Sequence, residues 1–140
     1  MRMQLFVDTS VWSLALRRDA VVESPYLDFL RSAIAGEEQV FTTGLVLQEL
    51  LQGFDGAKQR AAILERFRVL PLLVPDLDDH VRAAELRNTC RRHGVQVGTI
   101  DAILAQMCIR AELTMLTTDK DFDNIESHFA LKLWRPASRV

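Results

Sequence analysis

At 140 residues the chain has the length of one domain, 1–140, enough to bury roughly 68% of the surface its unfolded form exposes. Its 49% apolar and 26% charged residues are those of an ordinary soluble globule, and a net charge of −2 excludes an overtly basic nucleic-acid-binding protein. After Arg2 the apolar run is only "LFV" before Asp8, and no stretch approaches the roughly 20 apolar residues of a membrane helix, so a cytoplasmic protein without a membrane partner is expected.

Two thiols, Cys90 and Cys108, fit that compartment as reduced packing residues. Of the 17 basic residues 14 are Arg. A planar guanidinium suits phosphate, although a GC-rich genome produces the same bias.

In chain order, an apolar run at 3–7 reads as a strand and leads into Asp8, Thr9 and Ser10. Val11–Leu16 is apolar nearly all round, too much for a helix with one face in water. It is either buried by its own domain or covered by another copy. The stretches 24–35, 43–54 and 57–68 carry helical periodicity, with strand-length apolar runs at 39–42 and 69–74 between and after them. A longer amphipathic helix runs from Asp78 to His93, with "RNTCRRHG" as a basic end closed by Gly94. Over 99–111, Ile100, Ile103, Leu104, Met107 and Ala111 keep the spacing of a buried helical stripe, with Thr99 as the expected N-cap. Apolar runs at 113–117 and 129–134 complete the strands. Strands alternating with helices predict an α/β fold, a parallel sheet with helices on both faces.

Sites in such sheets form at the carboxyl ends of the strands. Asp8 and the group Thr117, Thr118 and Asp119 follow two strands and fall on that edge. Asp101, in the first turn of the helix that descends to strand 113–117, returns to it by matched lengths of about 16 Å. Glu49 lies five residues into its helix beside an apolar face, from which its longer side chain can reach back. Singly, each acid reads as a turn, cap or solvated residue. Together, four carboxylates about 5 Å apart repel by roughly 3 kcal/mol per pair at an effective dielectric of 20. Cations relieve that, and an all-carboxylate set selects Mg²⁺ or Mn²⁺. Neither His80, His93 nor His128 stands at metal-ligand spacing from another. With cations bound, a polyanion is no longer repelled, and Arg17, Arg18, Arg91, Arg92 and Lys120 are candidates for holding its phosphates.

Four segments in this order, "FVDTSVW", "LVLQELLQG", "VGTIDAILAQM" and "MLTTDKDF", resemble the motifs of PIN-domain ribonucleases, and more narrowly those of VapC-type toxins of bacterial toxin–antitoxin pairs. The resemblance covers essentially the whole chain. It implies a three-layer α/β/α sandwich with a central, mostly parallel sheet, and an endoribonuclease that hydrolyses RNA with Mg²⁺ or Mn²⁺. Asp8, Asp101, Asp119 and Glu49 then become the metal and catalytic residues, with Thr9, Ser10 and Thr117 steadying the carboxylates by hydrogen bonds. Asp121 and Asp123 follow closely enough to compete for the last ligand position. The resemblance also implies a cognate antitoxin and a homodimer. A dehalogenase-like phosphatase would need an acid where Ser10 stands, and a response-regulator receiver would need an acid adjacent to Asp8.

Overall fold

The computed structural model describes residues 2–17, 23–36 and 38–137. Five parallel strands, β1 (Gln4–Val7), β2 (Gln39–Thr43), β3 (Leu72–Leu73), β4 (Thr114–Leu116) and β5 (Lys132–Leu133), stand in the order β3-β2-β1-β4-β5. The helices are α1 (Thr9–Leu16), α2 (Pro25–Ala35), α3 (Gly44–Gly53), α4 (Ala57–Phe67), α5 (Leu77–Arg92), α6 (Thr99–Ala111) and α7 (Asp121–Glu126). They flank the sheet in an α/β/α sandwich, so the predicted fold class is the observed one. Among the described residues no helix is long and apolar enough to cross a membrane.

β1 is the central strand because its residues can be buried on both faces: Leu5, Phe6 and Val7 are all fully inaccessible. It pairs with β2 on one side and β4 on the other, with Phe6 opposite Phe41 and Met115. The edge strands are shorter than the apolar runs at 69–74 and 129–134 suggested, each keeping only two residues in the ladder.

Helix α6 has the predicted bounds, but its cap differs. Gly98 occupies the N-cap position with extended backbone, and Thr99 is the first helical residue. Seven consecutive residues, Ala102–Cys108, are buried, so this helix is enclosed on all sides rather than on one stripe. Its polar member, Gln106, donates to the Asp79 carboxylate at 3.4 Å. Asp79 is itself fully buried in α5 and takes an ion pair from Arg110 at 2.8 Å. Burial works to raise the pKa of Asp79, but the hydrogen bonds from Arg110, the Asp76 backbone and Gln106, with the charge of Arg110, outweigh it and hold the carboxyl below its usual value. Asp79 also closes a reciprocal capping box with Asp76 at the start of α5. The other end of α5 stops at Gly94, whose φ of 78° is open to glycine at little cost.

Trp12, in α1, is 5% exposed and packs on Phe67 of α4 with ring centroids 5.1 Å apart. Of the two alternatives for Val11–Leu16, burial by its own domain therefore holds for Val11 and Trp12. Cys90 and Cys108 are free and buried, as expected of packing residues.

Candidate active site

The strand order reverses at β1, which has β2 and β3 on one side and β4 and β5 on the other. Loops leaving β1 and β4 must part there, which opens a crevice at the carboxyl edge of the sheet. The backbone N–H of Asp8 donates to the Leu116 carbonyl at 3.0 Å, carrying the β1–β4 ladder one residue past its last strand pair. Asp8 thereby reaches the crevice directly beside Thr117.

Asp8 is the N-cap residue of α1, yet its side chain makes no cap hydrogen bond. Its Oδ2 instead accepts from the hydroxyls of Ser10 and Thr117, each at 2.8 Å. Those hydroxyls then accept from the chain after β4: Ser10 Oγ from the Thr118 N–H and Thr117 Oγ1 from the Asp119 N–H, both at 3.0 Å. Each hydroxyl spends its single proton on Asp8, so their 3.2 Å approach to one another is a packing contact. Asp8 Oδ1 makes no hydrogen bond among the described residues and is the carboxylate's free corner.

Asp119 Oδ1 accepts the Asp121 N–H at 2.9 Å, a local turn that begins α7 and swings Asp121 toward Asp119. Oxygens of Asp101, Asp119 and Asp121 all lie within 4.8 Å of one another. Asp101 pays for this proximity: burial first, then the charges of Asp119, Asp8, Asp121 and Glu49, push its pKa up from 3.8 to about 6. Burial, and then Asp8, also raise the pKa of Glu49, while the Thr9 hydroxyl opposes the rise. That hydroxyl is buried and has no partner at normal hydrogen-bond length.

Five carboxylates from four segments of the chain thus share one edge. Asp121, left open by the sequence, joins them. Asp123 does not, because it is paired with Arg135 at 3.0 Å. The donor set is wholly hard oxygen and fits a divalent cation such as Mg²⁺ or Mn²⁺. The nearby sulfur is no competitor, since burial and the charge of Asp8 keep the Cys108 thiol protonated.

The basic candidates divide. Lys120 is exposed, follows Asp119 and lines a cavity next to the acids. Arg91 and Arg92 are exposed at the end of α5 and bond to their own helix, at Asn88 and Thr89. Arg17 is exposed at the C-cap of α1, and Arg18 lies outside the described residues. His93 and His128, 35 residues apart, bring their rings to 4.4 Å, a pairing invisible to sequence spacing.

The sequence pattern of the PIN domain family matches residues 5–127. The chain belongs to that family. Among solved structures, the fold is similar to that of VapBC2 from Rickettsia felis bound to a DNA fragment from its promoter, at 20% identity and a TM-score of 0.73, covering 94% of this chain and 98% of that one. VapBC-1 from nontypeable Haemophilus influenzae is similar at 17% identity and a TM-score of 0.72, covering 94% and 97%. Mycobacterium tuberculosis VapC20, described as a Sarcin-Ricin loop cleaving toxin, is similar at 20% identity and a TM-score of 0.65, covering 89% and 95%.

Proposed function

We propose that the protein is a Mg²⁺- or Mn²⁺-dependent endoribonuclease of the cytoplasm and the toxin component of a VapC-type toxin–antitoxin pair. The observation that carries this reading is the acidic group in which oxygens of Asp101, Asp119 and Asp121 lie within 4.8 Å of one another, with the charges of Asp8 and Glu49 also acting on Asp101. A structural role gives no return for such repulsion; a cation and a phosphodiester do. Asp8, Asp101 and Asp119 are assigned as the ligands, with Asp121 beside them. A bound cation would supply charge to polarise the phosphate and to make water a better nucleophile. Ser10 and Thr117 fix Asp8 in one orientation, so its free oxygen needs no reorganisation when the cation arrives. Glu49, with its raised pKa, is assigned to orient the attacking water and take its proton.

The relatives support the partners. The fold is shared with VapBC assemblies and with a toxin that cuts an RNA loop, and an exposed loop is what such an acid-lined edge can admit. For the antitoxin we assign an apolar groove of about 380 Å³ between α1, α2 and α4, walled by Trp12, Leu30, Ile34, Ile63 and Phe67. A homodimer remains part of the reading, at a different face from the one first considered. Leu77, Val81 and Ile100, exposed by 81%, 49% and 41%, present apolar surface on α5 and α6.

Incubating the protein with RNA and Mn²⁺, against a chelated control, tests the reaction. Cleavage that leaves 5′-phosphate ends and stops on chelation is expected. Cleavage that survives exhaustive chelation, or that leaves 2′,3′-cyclic phosphates, refutes it.

A further inference from the structure

A second cavity, of about 250 Å³, adjoins the carboxylate cluster and shares Thr117 and Asp119 with it. One wall is aromatic. Tyr26 of α2 and Trp134, which follows β5, meet nearly edge-on at 5.2 Å and 74°. Phe29, on the same helix as Tyr26, stacks on Trp134 at 4.5 Å and 15°, and the Trp134 backbone N–H donates to the Met115 carbonyl at 2.9 Å. The indole is therefore fixed both through its ring and through its backbone. The loop Thr117–Lys120 and Arg135 also line the cavity.

Of the groups with hydrogen-bonding capacity to spare, three are donors only, Trp134, Lys120 and Arg135, and the Tyr26 and Thr118 hydroxyls can donate as well as accept. The Tyr26 hydroxyl, the Trp134 indole N–H, the Thr118 hydroxyl and the Lys120 ammonium make no hydrogen bond among the described residues. Arg135 bonds Asp123 and Glu126 through Nη2 alone, so its Nε–H and Nη1 remain available. The carboxylate acceptors are committed in part: Asp123 Oδ1 is held by Arg135, and Asp119 Oδ1 accepts the Asp121 N–H and belongs to the acid cluster.

An aromatic wall with several donors beside it matches an unstacked nucleobase whose edge offers acceptors. The volume is below the roughly 300–1,000 Å³ of pockets for drug-sized ligands, which limits the occupant to one base. Keto bases present an acceptor where amino bases present an N–H₂ group: guanine carries O6 where adenine carries N6–H₂, and uracil O4 where cytosine carries N4–H₂. We propose that this cavity is a nucleobase subsite that takes the base next to the scissile phosphate and selects guanine or uracil over adenine or cytosine. The words "next to the scissile phosphate" rest on the nuclease reading above; the base selectivity does not.

Two measurements on the full chain separate those dependencies. In the first, metal-free protein is titrated with uridine, cytidine, inosine, adenosine and ribose while tryptophan emission is followed. Trp12 is buried, so a response reports Trp134, and Trp134→Phe should abolish it while preserving an aromatic wall. Uridine and inosine should bind at least about fivefold more tightly than cytidine and adenosine, a margin of one hydrogen bond of about 1 kcal/mol, and ribose should not bind. In the second, oligoribonucleotides varied at the bases on both sides of the cut are assayed with Mn²⁺. The wild type should prefer a keto base at one of the two positions. Tyr26→Ala should raise KM for the preferred substrate about tenfold, in line with one lost base–aromatic contact, with kcat changed less than twofold, and Tyr26→Phe should keep most of the affinity if the ring is what matters. Keto-selective nucleoside binding without any RNA cleavage would remove the nuclease reading and leave the subsite. Cleavage indifferent to both flanking bases, or equal binding of all four nucleosides, would overturn the subsite and leave the nuclease.

Discussion

Replacing Asp101 by Asn tests the site through stability as well as through catalysis. Burial and four neighbouring carboxylates raise the Asp101 pKa from 3.8 to about 6. At 1.36 kcal/mol per pH unit that distance corresponds to about 3 kcal/mol. The group is only partly buried and its repulsions are screened by water, which leaves about 1–2 kcal/mol. The folded protein binds this proton more tightly than the unfolded chain does. The carboxyl's favourable contribution is thus complete below about pH 4 and lost as the pH rises through about 6. Asparagine keeps the shape without the charge, so metal-free Asp101→Asn should match the wild type near pH 3.5 and exceed it at pH 7.5. The expected gain at pH 7.5 is about 3–7 °C in melting temperature for a chain of this size. Added Mn²⁺ should raise the melting temperature of the wild type and that of the variant much less, through the linkage of binding to folding. RNA cleavage should fall by at least about a hundredfold. Calorimetry at the two pH values, with and without Mn²⁺, supplies the readout. A variant no more stable than wild type at pH 7.5 would refute the electrostatic argument, and one that is folded and fully active would refute the site.

Thr117→Val removes the hydroxyl that donates to Asp8 and accepts from the Asp119 N–H; cleavage should fall about 10–100-fold with the melting temperature little changed, and unaltered kcat/KM would count against the clamp. Arg110→Met strands the fully buried Asp79 carboxylate and should cost about 2–4 kcal/mol in urea unfolding at pH 7, below the full cost of a buried pair because Arg110 is itself 41% exposed. Because the Asp79 pKa is lowered in the folded state, that loss should shrink as the pH falls below about 4, as monitored by the urea midpoint. Trp12→Glu places a charge in the core against Phe67 and should abolish cooperative unfolding rather than yield a folded monomer; light scattering with a melting curve distinguishes the two.

Local signals carried far where periodicity and topology agreed. Helix α6 was legible to the residue because its apolar spacing is long and regular, and Asp101 followed from it. Its cap was misread because Thr99 is a good N-cap by type, while the backbone had already turned at Gly98. Helix α7 escaped notice, its six residues being too few to show a period. The runs at 69–74 and 129–134 look like full strands because apolar content alone does not say how many residues find a ladder partner at a sheet edge. Asp119, Asp121 and Asp123 are equivalent on the page. What separates them is Arg135, twelve residues beyond Asp123, which draws that carboxylate away. Trp12 illustrates the same limit, since only the packing of α4 against α1 decides between core and interface.

The clamp on Asp8 joins two stretches more than a hundred residues apart: Asp8 to Thr117 across 109 positions and Ser10 to Thr118 across 108. Closing so long a loop is slow and comes late in folding. On the ribosome, where chains emerge from the amino end at about 5–20 residues per second, Asp8 is made more than a hundred residues before its partners exist. An incomplete chain ending before β4 has neither the hydroxyl of Thr117 nor the carboxylates of Asp119 and Asp121, and its central strand lacks a neighbour. On the nuclease reading proposed above, a nascent chain would thus be unable to assemble its site until β4 and the segment that follows it have been made.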